Sequence, residues 1–308
     1  VITVQSIDKY DKKHPTAITI GTFDGVHIGH RKILNKLIGN AKDLHLKSTV
    51  LTFFPHPRMV LQKDTDIKLL NTIDEKMMIL GNLGLDFLII HPFTLEFSRL
   101  SATEFVRDIL VNSLNAKKII IGYDHRFGRN RDANINDLIA FGNALDFEVD
   151  EIPAQEVDEV SVSSTKIRKA LEDGDIETAN NYLGYHYMLT GVVRRGKGLG
   201  RTLDFPTANL SIKESYKLIP KIGVYVVQSK IDNEWVYGMM NIGFNPTVSG
   251  KEKSIEIHFF DFNRDLYNQK IQVDILARIR DEHKFESVAA LRIQLQKDKE
   301  ASLAILNK

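Results

Sequence analysis

Two histidines, His27 and His30, stand three residues apart in the string Gly-Thr-Phe-Asp-Gly-Val-His-Ile-Gly-His at 21–30. At the start of a helix such a spacing puts both on one face. A helix N-terminus also presents free backbone N–H groups to an anion. Gly21, Gly25 and Gly29 let the chain turn sharply and come close to a ligand. These residues together predict a phosphate site. A metal centre is the weaker reading, because no thiolate and no obvious third ligand accompany the pair. A lone His-x-x-His is ordinary, but the whole string directly after an apolar run is a poor product of chance.

Other residues carry weaker signals. Ser164 and Thr165 can cap a following helix. Lys166 and Arg168 beside them can meet phosphate charge. The stretch 191–198 nearly spells a phosphate-binding loop, but it lacks the closing Ser/Thr and no helix pattern follows. Its Gly196, Lys197 and Gly198 fit either a glycine-rich flap or an ordinary hairpin loop. Thr207 and Asn209 alternate with Ala208, so in a strand both point to one side. Their hydroxyl and amide oxygens suit Mg²⁺. Glu256 and His258 alternate with Ile255 and Ile257, and a carboxylate near an attacking alcohol can accept its proton. Alone, Glu256 reads as a solvated residue on a half-exposed strand.

Positioning these groups requires two kinds of framework. Strand patterns at 17–20, 48–54, 87–91, 118–122 and 147–152 alternate with helix patterns at 30–44, 73–83, 102–114 and 136–145. That alternation predicts a Rossmann-like α/β domain with a parallel sheet, and ligands bound beyond the strands' carboxyl ends. Two short helices follow at 164–171 and 176–183. Strand patterns then dominate, at 188–194, 223–231, 235–242, 254–260 and 271–280. Dense strands without intervening helices predict an antiparallel barrel. A terminal helix at 287–306 carries apolar residues at Val288, Leu291, Leu295 and Ile305. The expected domains are 1–184 and 185–308.

The composition excludes whole classes of chemistry. With no cysteine among 308 residues, there is no thiol catalysis, thiolate site or disulfide. A formal net charge of +1 gives no bulk attraction to nucleic acid or membrane. No apolar run approaches a bilayer span, and residues 1–15 lack a signal peptide's apolar core. A cytoplasmic protein without nucleic-acid or membrane partners is expected; a weak homo-oligomer is compatible with this.

The 21–30 string resembles the His-x-Gly-His signature of the nucleotidyltransferase superfamily. In its full form it is similar to the adenylyltransferase half of the prokaryotic bifunctional riboflavin kinase/FAD synthetase family. Three further segments resemble that half: Phe54-Pro-His-Pro57, Gly122-Tyr-Asp-His-Arg-Phe-Gly128, and 163–168. His125 stands where the family has an aromatic residue. The Pro206-Thr-Ala-Asn209 core resembles the riboflavin kinase signature, and 261–268 resembles a family turn with Asn268 in place of glycine. The resemblance implies ATP-dependent phosphorylation of riboflavin to FMN, then adenylyl transfer giving FAD and pyrophosphate. It implies ATP contacts at Gly21, Phe23, Asp24, His27, His30, Ser164, Thr165 and Arg168 in the first half. In the second half it implies contacts at Gly196, Lys197, Gly198, Thr207 and Asn209. Glu256 is then the general base, Thr207 and Asn209 hold Mg²⁺, and Asp124, Phe127 and Arg292 meet the flavin. A chain with one active half, or a non-catalytic flavin or nucleotide binder, is the alternative.

Overall fold

The computed structural model describes residues 1–62, 66–123, 125–153, 162–196, 200, 203–247 and 250–307, with backbone alone at 245–247 and 250–252. Asp124, Lys197 and Gly198 lie outside the described residues. The chain divides into two compact units, Val1–Ser164 and Thr165–Lys308. By contact, the helices Ser164–Asp173, after its first residue, and Ile176–Leu183 go with the second unit.

The first unit is built on a parallel sheet. Its strands are β1 (Ile2–Gln5), β2 (Thr16–Ile20), β3 (Lys47–Phe53), β4 (Phe87–His91), β5 (Ala116–Gly122) and β6 (Glu148–Ile152). Their spatial order is β1-β4-β3-β2-β5-β6, with every neighbour parallel. β2 is buried along its whole length, as a β-branched central strand covered on both faces should be. Ile18, Leu51, Ile89 and Ile119 form the middle of its core. Each such side chain contributes about 1.5–3 kcal/mol by leaving water. The strand order reverses beside β2, with β3 and β4 on one side and β5 and β6 on the other. Ligand crevices of parallel sheets open at such a reversal. The carboxyl end of β2 leads directly into Gly21.

Two details depart from the sequence expectation. β1 was not anticipated, because a four-residue edge strand carries little pattern. The helix expected at 102–114 begins as Ala102–Glu104 under a Ser101/Glu104 capping box and continues as a π-helix, Phe105–Ser113. Its widened turn is visible where the Leu114 amide reaches Ile109 O at 3.0 Å. Apolar spacing does not distinguish that turn from an α-helical one.

The second unit holds a closed barrel of β7 (Tyr187–Arg194), β8 (Ala208–Ser211), β9 (Gly223–Ile231), β10 (Glu234–Thr247), β11 (Gly250–Phe259) and β12 (Lys270–Arg280). Its strands pair antiparallel in the order β10-β11-β8-β7-β12-β9. Closure leaves no open sheet edge. The terminal helix Val288–Leu306, capped by Ser287, lays Leu291 and Leu295 on Leu203, Phe205, Met239 and Phe260. Val288, at the start of the helix, is exposed. The helix is anchored by a buried carboxylate: Asp298 accepts from Arg280 Nε at 2.8 Å and Nη2 at 2.6 Å, and from Gln294 at 2.9 Å.

Removing one partner of a buried pair strands the other. Asp298→Ala is therefore expected to destabilise the second unit by about 3 kcal/mol, measured as a lowered midpoint in thermal or urea unfolding.

Candidate functional site

His27 is the N-cap of the helix Ile28–Asp43, and its Nδ1 accepts the His30 amide at 3.3 Å. An imidazole nitrogen that accepts carries no proton, so neutral His27 holds its proton on Nε2 and can donate there. The two rings stack at 3.7 Å with an interplanar angle of 16°. Gly29 makes room for this, since a Cβ there would lie 3.3 Å from the His27 ring. The turn before the helix is tight: Phe23, Gly25 and Val26 have φ of 44°, 84° and 37°. Phe23 sets its ring edge-on to His30 at 5.1 Å. Burial lowers the His27 pKa from 6.5 to about 4, with Asp24 opposing the shift. Burial, and then the neighbouring His27 and Lys76, push His30 well below its ordinary value. His30 Nδ1 is shut off from solvent and has no partner among the described residues.

Two further segments brace this turn. The Asp24 carboxylate accepts the Leu70 amide at 2.9 Å and the Asn71 amide at 3.4 Å. Ser164 donates its hydroxyl to Asp24 O at 2.9 Å, so the start of the second phosphate motif touches the first. Thr165 is exposed and Arg168 half-buried in the helix that follows. Lys76, which lies next to the Thr72/Glu75 capping box, donates to Thr22 O at 2.6 Å. The sequence reading passed over it, because a lysine in a helix pattern reads as a solvated one.

An aromatic group gathers beyond the ends of β3 and β4. Phe53 contacts Phe93 at 5.6 Å and Phe97 at 5.5 Å, and His91 contacts Phe97 at 4.6 Å. These rings are half-buried. Phe127, a flavin candidate by resemblance, instead sits in the core near Phe105 at 6.1 Å. His125 lies over Phe127 at 6.3 Å. His56 caps the short helix Pro57–Leu61, a structural role for that motif.

In the barrel, Thr207 donates its hydroxyl to Glu256 Oε2 at 3.2 Å. Asn209 is the register partner of Glu256 across β8 and β11. The Asn209 amide lies against Gly196, where a Cβ would fall 2.6 Å from its Cγ, so the glycine-rich loop begins directly on that side chain. His258 is two residues beyond Glu256 on β11. Its Nδ1 is 2.9 Å from Pro206 O, and since a carbonyl only accepts, that nitrogen holds the proton. Burial lowers the His258 pKa, partly offset by this bond. A cavity of about 370 Å³ opens beside Thr207, lined also by Ala208, Ile257, Phe262, Leu266 and Tyr267. Asn268, at the family's glycine position, adopts φ 63°, the left-handed turn that Asn tolerates. Arg292 pairs with Asp204 at 2.6 Å, both largely exposed.

Chemically, the chain is a transferase of phosphate-containing groups. The FAD synthetase family model matches residues 9–166, and the riboflavin kinase model matches 183–306. A bifunctional riboflavin kinase/FMN adenylyltransferase of Listeria monocytogenes is 36% identical over 94% of this chain and 92% of its own length. The Escherichia coli K12 protein of the same description is 34% identical, over 91% of this chain and 90% of its own. A crystal structure from Streptococcus pneumoniae, described as a macrolide-efflux protein, is 33% identical with a TM-score of 0.87, covering 98% of this chain and 99% of that one. Among the described residues of this chain, no helix is long and apolar enough to cross a membrane. The chain belongs to the bifunctional riboflavin kinase/FMN adenylyltransferase family.

The histidine pair gives a pH signature. The fold holds His27 neutral, so between pH 6.5 and about 4 the unfolded chain binds the extra proton. Stability from this group is complete above the unfolded value and is lost as pH falls through that window. The loss is expected to reach about 3 kcal/mol, with His30 adding in the same direction. Unfolding of the first unit followed against pH checks it; His27→Ala is expected to flatten the acid limb.

Proposed function

We propose that the chain converts riboflavin to FAD in two ATP-dependent transfers, with kinase chemistry in 185–308 and adenylyl transfer in 1–184. The observation that carries this reading is that each compact unit holds its own group of charge-handling side chains, Thr207 with Glu256 in one and His27 with His30 in the other.

In the kinase step, Glu256 takes the proton of the ribityl hydroxyl as that oxygen attacks the γ-phosphorus of ATP and ADP leaves. The Thr207 hydrogen bond fixes one carboxylate oxygen and leaves the other to reach the substrate. His258 supports this through Pro206, the residue before Thr207. Thr207 and Asn209 offer two hard oxygens beside a carboxylate, a donor set that fits Mg²⁺. Among the described residues no group of three or more His, Asp or Glu could hold a metal. When bound, Mg²⁺ would neutralise charge on the transferring phosphoryl group.

In the adenylyl step, an FMN phosphate oxygen attacks the α-phosphorus of ATP and pyrophosphate departs. No proton has to be abstracted, so positioning and charge stabilisation suffice. His27 Nε2–H and the open N-terminus of its helix supply donors where the negative charge grows. Gly21, Phe23 and Asp24 shape the turn, and Ser164, bonded to Asp24 O, serves the outer phosphates. For the isoalloxazine ring, the half-buried Phe53, Phe93 and Phe97 offer more accessible aromatic surface than Phe127.

Glu256→Gln is expected to cut FMN formation at least about 100-fold while FMN adenylylation stays intact. His30→Ala is expected to do the reverse, by about the same factor. Chromatographic separation of riboflavin, FMN and FAD over time measures both at once. Loss of both activities in either folded variant would refute separate sites.

A further inference from the structure

Lys76 is a charged side chain inside the first unit, only 5% exposed. Its ammonium makes one short bond, 2.6 Å to Thr22 O, and its other two protons have no partner among the described residues. A buried ammonium is costly unless it is paired and hydrogen-bonded. Asp24 is the opposite charge that interacts with it, and burial still pulls its pKa below the ordinary lysine range. The same carboxylate holds the Leu70 and Asn71 amides. The segment from Leu70 to Lys76 is thus tied to both Thr22 and Asp24, the residues flanking Phe23. His30 feels the Lys76 charge as well.

A lysine that served only to pack its helix would turn its head to water, since the stem is long enough to reach it. This one spends its charge on the carbonyl of the turn that precedes the two histidines. Both histidines are held neutral by burial. Adenylyl transfer nevertheless gathers negative charge at this turn, and a fixed cation behind it answers that need without any proton movement.

We propose that Lys76 is a positioning residue for adenylyl transfer: its ammonium pins the Thr22 carbonyl, orients the turn that carries His27 and His30, and sets a positive charge behind them. The inference rests on the assignment of adenylyl transfer to this site.

The test uses the full chain and follows FMN to FAD, with riboflavin phosphorylation in the same preparation as a reference for the second unit. Lys76→Met keeps the length and removes charge and donor. It is expected to lower kcat for adenylyl transfer about 100-fold, with KM for ATP and FMN within about threefold and phosphorylation unchanged. Lys76→Arg is expected to recover at least about tenfold of that loss. In Lys76→Met the His30 ring, followed by NMR, is expected to titrate at higher pH, because a positive neighbour has gone. If Lys76→Met does not fold, Lys76→Gln decides, because it keeps a donor for Thr22 and lacks the charge: strong loss supports the proposal and full activity overturns it. Adenylyl transfer within threefold of wild type in folded Lys76→Met, or an unmoved His30 titration, overturns it too. Failure of the wild-type chain to make FAD would instead remove the functional assignment beneath it.

Discussion

When the His30 amide donates to His27 Nδ1, it closes the first turn of a helix and fixes a tautomer in the same act. The cap satisfies one of the orphan N–H groups of a helix start. It also leaves the remaining imidazole proton on Nε2, so the capping side chain becomes a donor. Everything around it follows from keeping that geometry. Gly29 is small because the ring lies over it, and Phe23 accepts a left-handed backbone to reach His30. Asp24, Ser164 and Lys76 hold the turn from three sides. Burial then keeps the rings uncharged, which suits hydrogen-bond donors that act on phosphate oxygens without gaining or losing protons.

The barrel solves a different problem with a different device. There a carboxylate sits on a strand whose other face is core. Ile255 and Ile257 are buried, which fixes the register of β11 and with it the direction of Glu256. Glu256 and His258 then contact Thr207 and Pro206, two consecutive residues of the segment entering β8. A strand is a stiff ruler, and two side chains two residues apart hold both ends of one peptide unit.

Much of this was legible in the sequence, for definite reasons. The buried parallel strands are continuous β-branched runs, and the helices between them have capping residues that announce their starts, such as Thr72 with Glu75. The histidine cap was partly legible: the spacing placed both rings at a helix start, but His27 proves to be the cap itself. Other features had no local signal. The Thr207–Glu256 bond spans 49 positions and exists only once β8 and β11 pair. Lys76 looks like any surface lysine until the Gly21–His30 turn folds over it. Phe127 has no local sign of burial either: its motif resembles a ligand-contacting segment, and its ring lies in the core. Aromatic residues at 53, 93 and 97 are scattered along the chain, and the sheet alone brings them together.

The Asp298 anchor of the terminal helix carries a last consequence. An apolar seam tolerates sliding, because one aliphatic contact can replace another. An ion pair with two directional bonds to Arg280 does not, since a shift by one helical turn would leave the buried Asp298 carboxylate without its guanidinium. The helix therefore has a single docked register on the barrel. Leu291 and Leu295 of that helix press on Phe205, the neighbour of Pro206 in the segment that His258 grips. Docking the helix and setting the Pro206–Thr207 segment thus become one cooperative event, and this helix acts as a keystone for strands far upstream.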